Sequence, residues 1–189
     1  MTNYTYDNNS PWYEDRSTIY NVTIGDGVTS IGNYAFYYCS SLTSITIPDN
    51  VTSIGNYAFE YCSSLTSITN GNGVTSIGNY AFRYCRSLTS ITIPDGVTSI
   101  GDNAFLNCAE LSTVRYLGEN QPSCGLTIFG GTKVKRVEVP MTYKESLFGE
   151  YEILKPTNYF TIDNLPPAYA IIRAGIFLFP LIIPWLIHK

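Results

Sequence analysis

The stretch GVTSIGNYAFYYCSSLTSITIPD, residues 27–49, recurs three more times in succession without insertions. Its copies read NVTSIGNYAFEYCSSLTSITNGN at 50–72, GVTSIGNYAFRYCRSLTSITIPD at 73–95 and GVTSIGDNAFLNCAELSTVRYLG at 96–118. Periods of this length are typical of stacked supersecondary units, none of which can bury its apolar side alone. The 23-residue period therefore predicts a solenoid in which each position of the repeat forms a column along the stack.

The apolar spacing L-x-x-I-x-I continues the repeat beyond these four blocks. It occurs six times in register, at Ile19, Val22 and Ile24; Leu42, Ile45 and Ile47; Leu65, Ile68 and Asn70; Leu88, Ile91 and Ile93; Leu111, Val114 and Tyr116; and Val134, Val137 and Val139. The outer two copies are otherwise degenerate, as expected of caps that face water on one side. There Tyr13 falls at the position of Phe36, and Ile128 at that of Phe105. We expect about six turns, with a flaw at the end of the third strand, where Asn70 interrupts the pattern.

Two periodicities alternate within each unit. Residues 43–47 are β-branched and alternate in polarity, which predicts a strand that ends at Pro48 because proline cannot donate into a ladder. Residues 28–31 form a second extended stretch, whereas apolar residues between Asn33 and Leu42 fall near helical spacing and predict one or two turns of α or 3-10 helix. We therefore expect an α/β, right-handed solenoid with a parallel sheet on one face and short helical turns on the other.

The extent of the repeat also predicts how the chain is divided into segments. Residues 1–26 are expected to form an N-terminal cap, 27–118 four full repeats, 119–156 a C-terminal cap repeat, 157–167 a linker and 168–189 a hydrophobic tail.

Composition argues against catalysis and against binding of nucleic acid. Charged residues make up 14% of the chain and the net charge is -4, so no basic stripe is available for phosphates. The single histidine, His188, lies next to the C-terminus, and no phosphate-binding loop or nucleophile with a nearby base is present. We expect no enzymatic activity, no cofactor and no metal, and a monomeric chain.

Four of the five cysteines follow the repeat, at Cys39, Cys62, Cys85 and Cys108. Adjacent turns would bring these thiols near enough for disulfides or a metal, but a column of small apolar fillers explains the same spacing without a second ligand type. We interpret the column as core. Cys124 is expected to be a free thiol in a turn between the caps.

The outward side of the predicted strands carries rows of hydroxyl groups that end toward basic residues. The predicted binding face comprises Thr43, Ser44, Thr46, Thr66, Ser67, Thr69, Thr89, Ser90, Thr92, Thr113 and Arg115. Such an array could bind an ordered lattice such as ice or a polysaccharide, or it could simply satisfy strand propensity. In the second case the chain could be a passive scaffold or a fragment without a ligand of its own. Lys135 and Arg136 continue the face beyond Arg115, and an acidic partner would dock at that end.

Tyrosines form two further columns, on or near the side opposite the predicted strands. They are Tyr34, Tyr57 and Tyr80, and Tyr38, Tyr61 and Tyr84. Tyrosine combines apolar area with a polar tip and few rotors, which suits recognition of glycans or proteins. A partly buried column that merely covers the backbone is the alternative interpretation.

The units resemble the BspA-like branch of leucine-rich repeat proteins. The pattern I-x-x-x-A-F-x-x-C-x-x-L-x-x-I-x-I-P of that branch is matched at Ile31, Ala35, Phe36, Cys39, Leu42, Ile45, Ile47 and Pro48 and at their 23-residue translates, over about residues 10–140. The resemblance implies a leucine-rich repeat solenoid and a surface-exposed or secreted, non-enzymatic module that binds a protein or glycan ligand.

Location is predicted from the two ends of the chain. Residues 1–16 lack an apolar signal segment, so we expect a truncated N-terminus or an unusual export route. Residues 168–187 are long enough to cross a bilayer but contain Arg173, Pro180 and Pro184. We hypothesise that this tail contacts or anchors the chain to a membrane, with the repeats at the cell surface.

Overall fold

The computed structural model describes residues 1–5 and 10–156. Met1–Lys155 form one compact unit that is built almost entirely of short strands and turns. A single 3-10 helix in the described residues spans Arg16–Thr18. The strands, in chain order, are β1 (Asn21–Val22), β2 (Ser30–Ile31), β3 (Ser44–Thr46), β4 (Ser53–Ile54), β5 (Ser67–Thr69), β6 (Ser76–Ile77), β7 (Ser90–Ile93), β8 (Ser99–Ile100), β9 (Thr113–Tyr116), β10 (Ser123–Cys124), β11 (Arg136–Glu138), β12 (Leu147–Phe148) and β13 (Tyr151–Leu154).

The solenoid prediction is confirmed, because the strands stack in parallel at the spacing of the repeat. One sheet has the order β2, β4, β6, β8, β10 and counts about five turns. All six predicted copies of the apolar spacing contain a strand. The first three, β1, β3 and β5, form a second sheet, and the last three, β7, β9 and β11, belong to a third. The hairpin of β12 and β13 closes the C-terminal end, with β13 parallel to β11.

The segment from Asn33 to Leu42 forms hydrogen-bonded turns and not the helix predicted from its apolar spacing. The amides of Tyr34, Phe36 and Tyr38 donate to carbonyls of the next repeat, at 2.7–3.0 Å. The amides of Ala35, Tyr37 and Cys39 instead donate to the carbonyls three residues earlier in the same repeat, at 3.1–3.3 Å. Since every second amide is committed to the neighbouring turn, a continuous ladder of helical bonds cannot form.

Stacked aromatic rings run through the core along the solenoid axis. Phe36, Phe59, Phe82 and Phe105 lie 5.1–5.2 Å apart between ring centroids. The spine ends on Trp12, 5.5 Å from Phe36, and on Phe129, 5.4 Å from Phe105.

The placement of Tyr13 and Ile128 in this column is therefore wrong by one residue at both caps. At the C-terminal end the reason is visible in the strand register, because Ser123 pairs with Ser99 and one extra residue has entered the connection. Ile128 is buried beside the spine. Trp12 adds a hydrogen bond from its indole Nε1 to the carbonyl of Ala35, at 2.7 Å, which fixes the N-terminal cap.

The predicted flaw at Asn70 has a structural counterpart, because the ladder is interrupted between β5 and β7. One turn earlier the amide of Ile47 donates to the carbonyl of Thr69, at 2.8 Å. At the next turn the carbonyl of Thr92 instead accepts from the side-chain Nδ2 of Asn70, at 3.0 Å. The side-chain amide thus replaces the backbone donor, and Asn70 Oδ1 lies buried with no partner among the described residues.

The predicted linker at 157–167 and hydrophobic tail at 168–189 lie outside the described residues. In residues 1–5 and 10–156, no helix has both the length and the apolar character required to cross a bilayer.

In the sheet formed by β2, β4, β6, β8 and β10, a glycine directly follows each strand and allows neighbouring turns to approach closely. A Cβ atom added at Gly78 would lie 2.7 Å from the backbone nitrogen of Asn56 and from the carbonyl carbon of Gly55. The side-chain Oδ1 of Asn56 lies nearer still, at 2.6 Å, and although that side chain could move, the two backbone atoms could not without shifting the turn. At Gly27, in contrast, nothing lies within 4 Å of the added atom.

We predict that Gly78→Ala destabilises the protein by roughly 2 kcal/mol or more, because it overpacks two backbones. Gly27→Ala should change stability by less than about 1 kcal/mol. Denaturant unfolding of both variants, compared with the wild type, measures the difference. Equal stability of the two variants would contradict the close approach of the turns.

Candidate binding surfaces

The predicted binding face is exposed along its whole length. All eleven residues lie on, or directly before, the strands β3, β5, β7 and β9 and point outward. Strand register aligns them, since Ser44 pairs with Ser67 and Thr46 with Thr69. We call this surface the hydroxyl face.

The rows of the hydroxyl face differ in whether their hydroxyl groups form hydrogen bonds within the protein. One row consists of Thr43, Thr66, Thr89 and Ser112. Three of its hydroxyl groups donate to the preceding turn, as Thr66 does to the carbonyl of Thr43 at 3.0 Å and Ser112 to that of Thr89 at 3.4 Å. Two other rows make no side-chain hydrogen bond to any described residue: Ser44, Ser67 and Ser90, and Thr46, Thr69 and Thr92. Strand propensity alone accounts for the first row, whereas the other two present free hydroxyl groups to solvent.

The hydroxyl face is discontinuous and nearly uncharged. Its ladder is broken between Thr69 and Thr92, as described above. At its C-terminal end Arg115 pairs with Glu138 at 3.1 Å, and Arg136 with Glu152 at 3.0 Å. Two of the three cations predicted to receive an acidic partner are therefore already neutralised.

The two tyrosine columns form stacks on the turn side of the solenoid, which we call the tyrosine face. In the first, Tyr34, Tyr57 and Tyr80 lie 4.7–4.9 Å apart between centroids. In the second, the spacings are 4.3 and 4.7 Å, and the members are Tyr38, Tyr61 and Tyr84. Tyr38 is 41% exposed and the other rings are half-buried.

All six tyrosines adopt left-handed backbone conformations, with φ between 56° and 62°. This region costs a non-glycine residue on the order of 1–2 kcal/mol, and asparagine tolerates it better than tyrosine. The fourth repeat has Asn103 and Asn107 at the equivalent positions, with φ of 55° and 59°. The first three repeats thus hold bulky rings at positions where asparagine would adopt the left-handed backbone at a lower conformational cost.

A charged pair lies between the two stacks. Glu60 is only 4% exposed, and its Oε1 lies 3.2 Å from the guanidinium of Arg83. That guanidinium lies 5.2 Å from the ring centroid of Tyr80 and 4.8 Å from that of Tyr84, within cation–π range. Burial raises the pKa of Glu60 to about 7, although Arg83 opposes the shift.

The sequence interpretation missed this pair. A signal was present, because Tyr37, Glu60 and Arg83 occupy the same position in three otherwise nearly identical repeats.

The cysteine column is core, as predicted. The thiols of Cys62, Cys85 and Cys108 are buried and donate to backbone carbonyls of the preceding repeat, at 3.1–3.2 Å. Burial raises the pKa of Cys39 to about 12, which suppresses the reactive thiolate. Cys124 is a free thiol but lies half-buried in β10, not in a turn.

Comparison with known proteins places these surfaces in context. Residues 9–135 match the family model described as BspA type Leucine rich repeat region, in six copies. A leucine-rich repeat protein from Bacteroides ovatus is similar in structure, with 27% identity and a TM-score of 0.52 over 74% of this chain and 43% of that chain. A leucine rich cell surface protein from Faecalibacterium prausnitzii has 29% identity and a TM-score of 0.51 over 66% and 42%.

The chain spans less than half the length of these two structures. The leucine-rich repeat protein of Treponema pallidum, at 23% identity and a TM-score of 0.56, covers 82% of this chain and 81% of its own and supports the fold alone. A search among curated proteins finds no significant match.

The buried Glu60 predicts a specific dependence of stability on pH. Folding raises its pKa from 4.5 to about 7, so its favourable contribution is present below about pH 4.5 and is lost as the pH rises through 7. Glu60→Gln mimics the protonated form. The variant should match the wild type near pH 4.5 and exceed its free energy of unfolding above pH 7 by about 2 to 3 kcal/mol.

Urea unfolding between pH 4 and 8 tests this difference. Glu110→Gln removes an exposed carboxylate that also pairs with a cation, Lys133, and is the matched control. It should differ from the wild type by a nearly constant amount of less than about 1 kcal/mol. A Glu60→Gln difference that is flat with pH, or of opposite sign, would show that Glu60 is not held in a desolvated site.

Proposed function

The chain belongs to the BspA-type leucine-rich repeat family, and we propose that it is a non-enzymatic binding module displayed at the cell surface. Members of this family are typically non-enzymatic binding proteins, and the F. prausnitzii relative is by its name a cell surface protein. These similarities support the class of function. We infer the ligand and its site from the chemistry of the two faces.

We assign ligand binding to the hydroxyl face. The observation that carries this proposal is the pair of rows whose hydroxyl groups are exposed and make no hydrogen bond within the described residues, Ser44, Ser67 and Ser90, and Thr46, Thr69 and Thr92. The ladder between β3 and β5 holds Ser44 beside Ser67 and Thr46 beside Thr69 at about 4.8 Å, so binding these groups costs little conformational entropy. Because the face is uncharged, the ligand it fits is a neutral glycan, whose hydroxyl groups both donate and accept.

Binding to a regular lattice such as ice is the alternative function that the same rows raise. A lattice surface needs an unbroken array, and the interruption between β5 and β7 divides the face in two. The glycan proposal does not require continuity across this break, since a short oligosaccharide spans a few strands. Thermal hysteresis of the full chain measures the alternative directly, and its absence removes that alternative.

The triple variant Thr46→Val, Thr69→Val and Thr92→Val keeps the β-branched shape and removes three hydroxyl groups. It should weaken binding to a glycan identified on an array at least tenfold, because each lost hydrogen bond contributes about 0.5–1.5 kcal/mol. Isothermal titration of the full chain measures the change.

The matched control is the triple valine variant at Thr52, Thr75 and Thr98. These hydroxyl groups donate to carbonyls of the preceding turn, at 2.9–3.2 Å, and border the other sheet. The control should retain glycan binding. Equal loss in both variants, or no glycan bound by the wild type, would refute the assignment.

Anchorage is a separate part of the proposal. Residues 168–189 are apolar apart from Arg173 and the last two positions, so we expect them to direct the chain to a membrane. A fusion of residues 157–189 to a soluble reporter should recover the reporter in the membrane fraction, and a version with two further charges in this segment should not. A reporter that stays soluble in both versions would end this part of the proposal.

A further inference from the structure

Variation among the repeats marks one place on the tyrosine face. The three repeats in residues 27–95 are identical except at the strand-end loops, at the position of Tyr37, Glu60 and Arg83, and at that of Arg86. The loop differences coincide with the interrupted ladder already described. The remaining differences lie together, because the Tyr37 ring is 5.5 Å from Tyr34 and Arg83 lies against the stacks two turns further on.

This variable column is framed on both sides by the tyrosine stacks. Constant rings flank changing side chains, an arrangement that keeps an anchoring surface while altering charge from turn to turn. Their left-handed backbone gives a second, independent indication. Six tyrosines persist where Asn103 and Asn107 show that asparagine serves the backbone, so the rings are kept for what their side chains contact.

The chemistry of the face indicates its partner. Tyrosine and arginine are the residues most enriched among the dominant contacts of protein interfaces. Arg86 is exposed and its guanidinium lies 5.4 Å from the Tyr84 ring, while Arg83 beside it shares its charge with Glu60. Leu126 adds an apolar group at the C-terminal end of the face and is 76% exposed. It directly precedes Thr127, which has the same left-handed backbone as Tyr34 and continues that column.

We propose that the tyrosine face is a second binding surface, which recognises a polypeptide segment carrying carboxylate side chains next to apolar ones. A carboxylate pairs with Arg86, and the apolar side chains pack against the edges of the Tyr61 and Tyr84 rings. This surface is distinct from the hydroxyl face and does not depend on glycan binding there.

The repeats themselves supply the variants for a test. Tyr61→Asn with Tyr84→Asn removes two rings but introduces the residue that the fourth repeat uses at this left-handed position. Arg86→Ser restores the residue found at Ser40 and Ser63 in the first two repeats. Both substitutions are compatible with the backbone, and circular dichroism with denaturant unfolding checks the fold of each variant.

The probe is a phage-displayed library of random 12-residue peptides, selected on the full immobilised chain. Enriched peptides should combine Asp or Glu with aliphatic or aromatic residues, and their affinity should be measured as synthetic peptides by fluorescence polarisation. The double asparagine variant and Arg86→Ser should each weaken binding at least tenfold. The triple valine variant of the hydroxyl face should bind the same peptides unchanged.

Three results would overturn the proposal. No enrichment, or enrichment of basic peptides, would show that the surface lacks the chemistry assigned to it. Unchanged affinity in both variants would place binding elsewhere and leave the stacks a purely structural role. Loss of peptide binding in the triple valine variant alone would place the peptide on the hydroxyl face.

Discussion

A constant spacing of 23 residues between equivalent positions governs the contacts between the turns in residues 27–118. Strand ladders, stacked rings and thiol-to-carbonyl bonds all join a residue to its neighbour in the next repeat. The side chains of Asn33, Asn56 and Asn79 show the dependence clearly, since each accepts from the amide 23 residues later, at 2.7–2.8 Å. One extra residue inside a strand or turn segment would displace these partners, whereas the one before Ser123 is taken up by the connection between strands. The repeat is therefore maintained without insertions from residue 27 to 118.

How much of the molecule could be predicted depended on the same spacing. Positions inside the four full repeats were assigned correctly to strand, core or surface because their period is unambiguous. The segment at 33–42 was not, since turns that bond alternately within and between repeats bury Ala35, Phe36 and Cys39 at nearly the spacing of a helix. The left-handed backbone at Tyr34 and Tyr38 separates such turns from a helix, and aromatic residues give no warning of it.

The residues that end the phenylalanine spine in the two caps were predicted wrongly, because the spacing there is longer by one residue. Trp12 and Phe129, not their neighbours, continue the phenylalanine spine. A large ring that covers the open end of the stack buries more area than a residue in strict register, and packing decides where sequence counting does not. The Glu60–Arg83 pair was missed for a related reason, since a reading based on recurring residues overlooks a column in which the residue changes from repeat to repeat. The two exposed faces consequently differ: the hydroxyl face is uniform and neutral, and the tyrosine face is variable and charged.

Deletion of whole and partial repeats measures the central constraint most directly. A chain lacking residues 50–72 loses one complete 23-residue unit and brings equivalent atoms of the flanking turns into register. A chain lacking residues 60–81 is longer by one residue, and this residue falls inside the turn segment, where alternate amides must meet carbonyls of the next repeat. It does not fall in a strand-end connection, where the extra residue before Ser123 is accommodated. The account predicts that the first deletion unfolds in a single cooperative transition with protected amides throughout the turns, and that the second loses cooperativity and protection. Equal behaviour of the two chains, whether both fold or both fail, would contradict it.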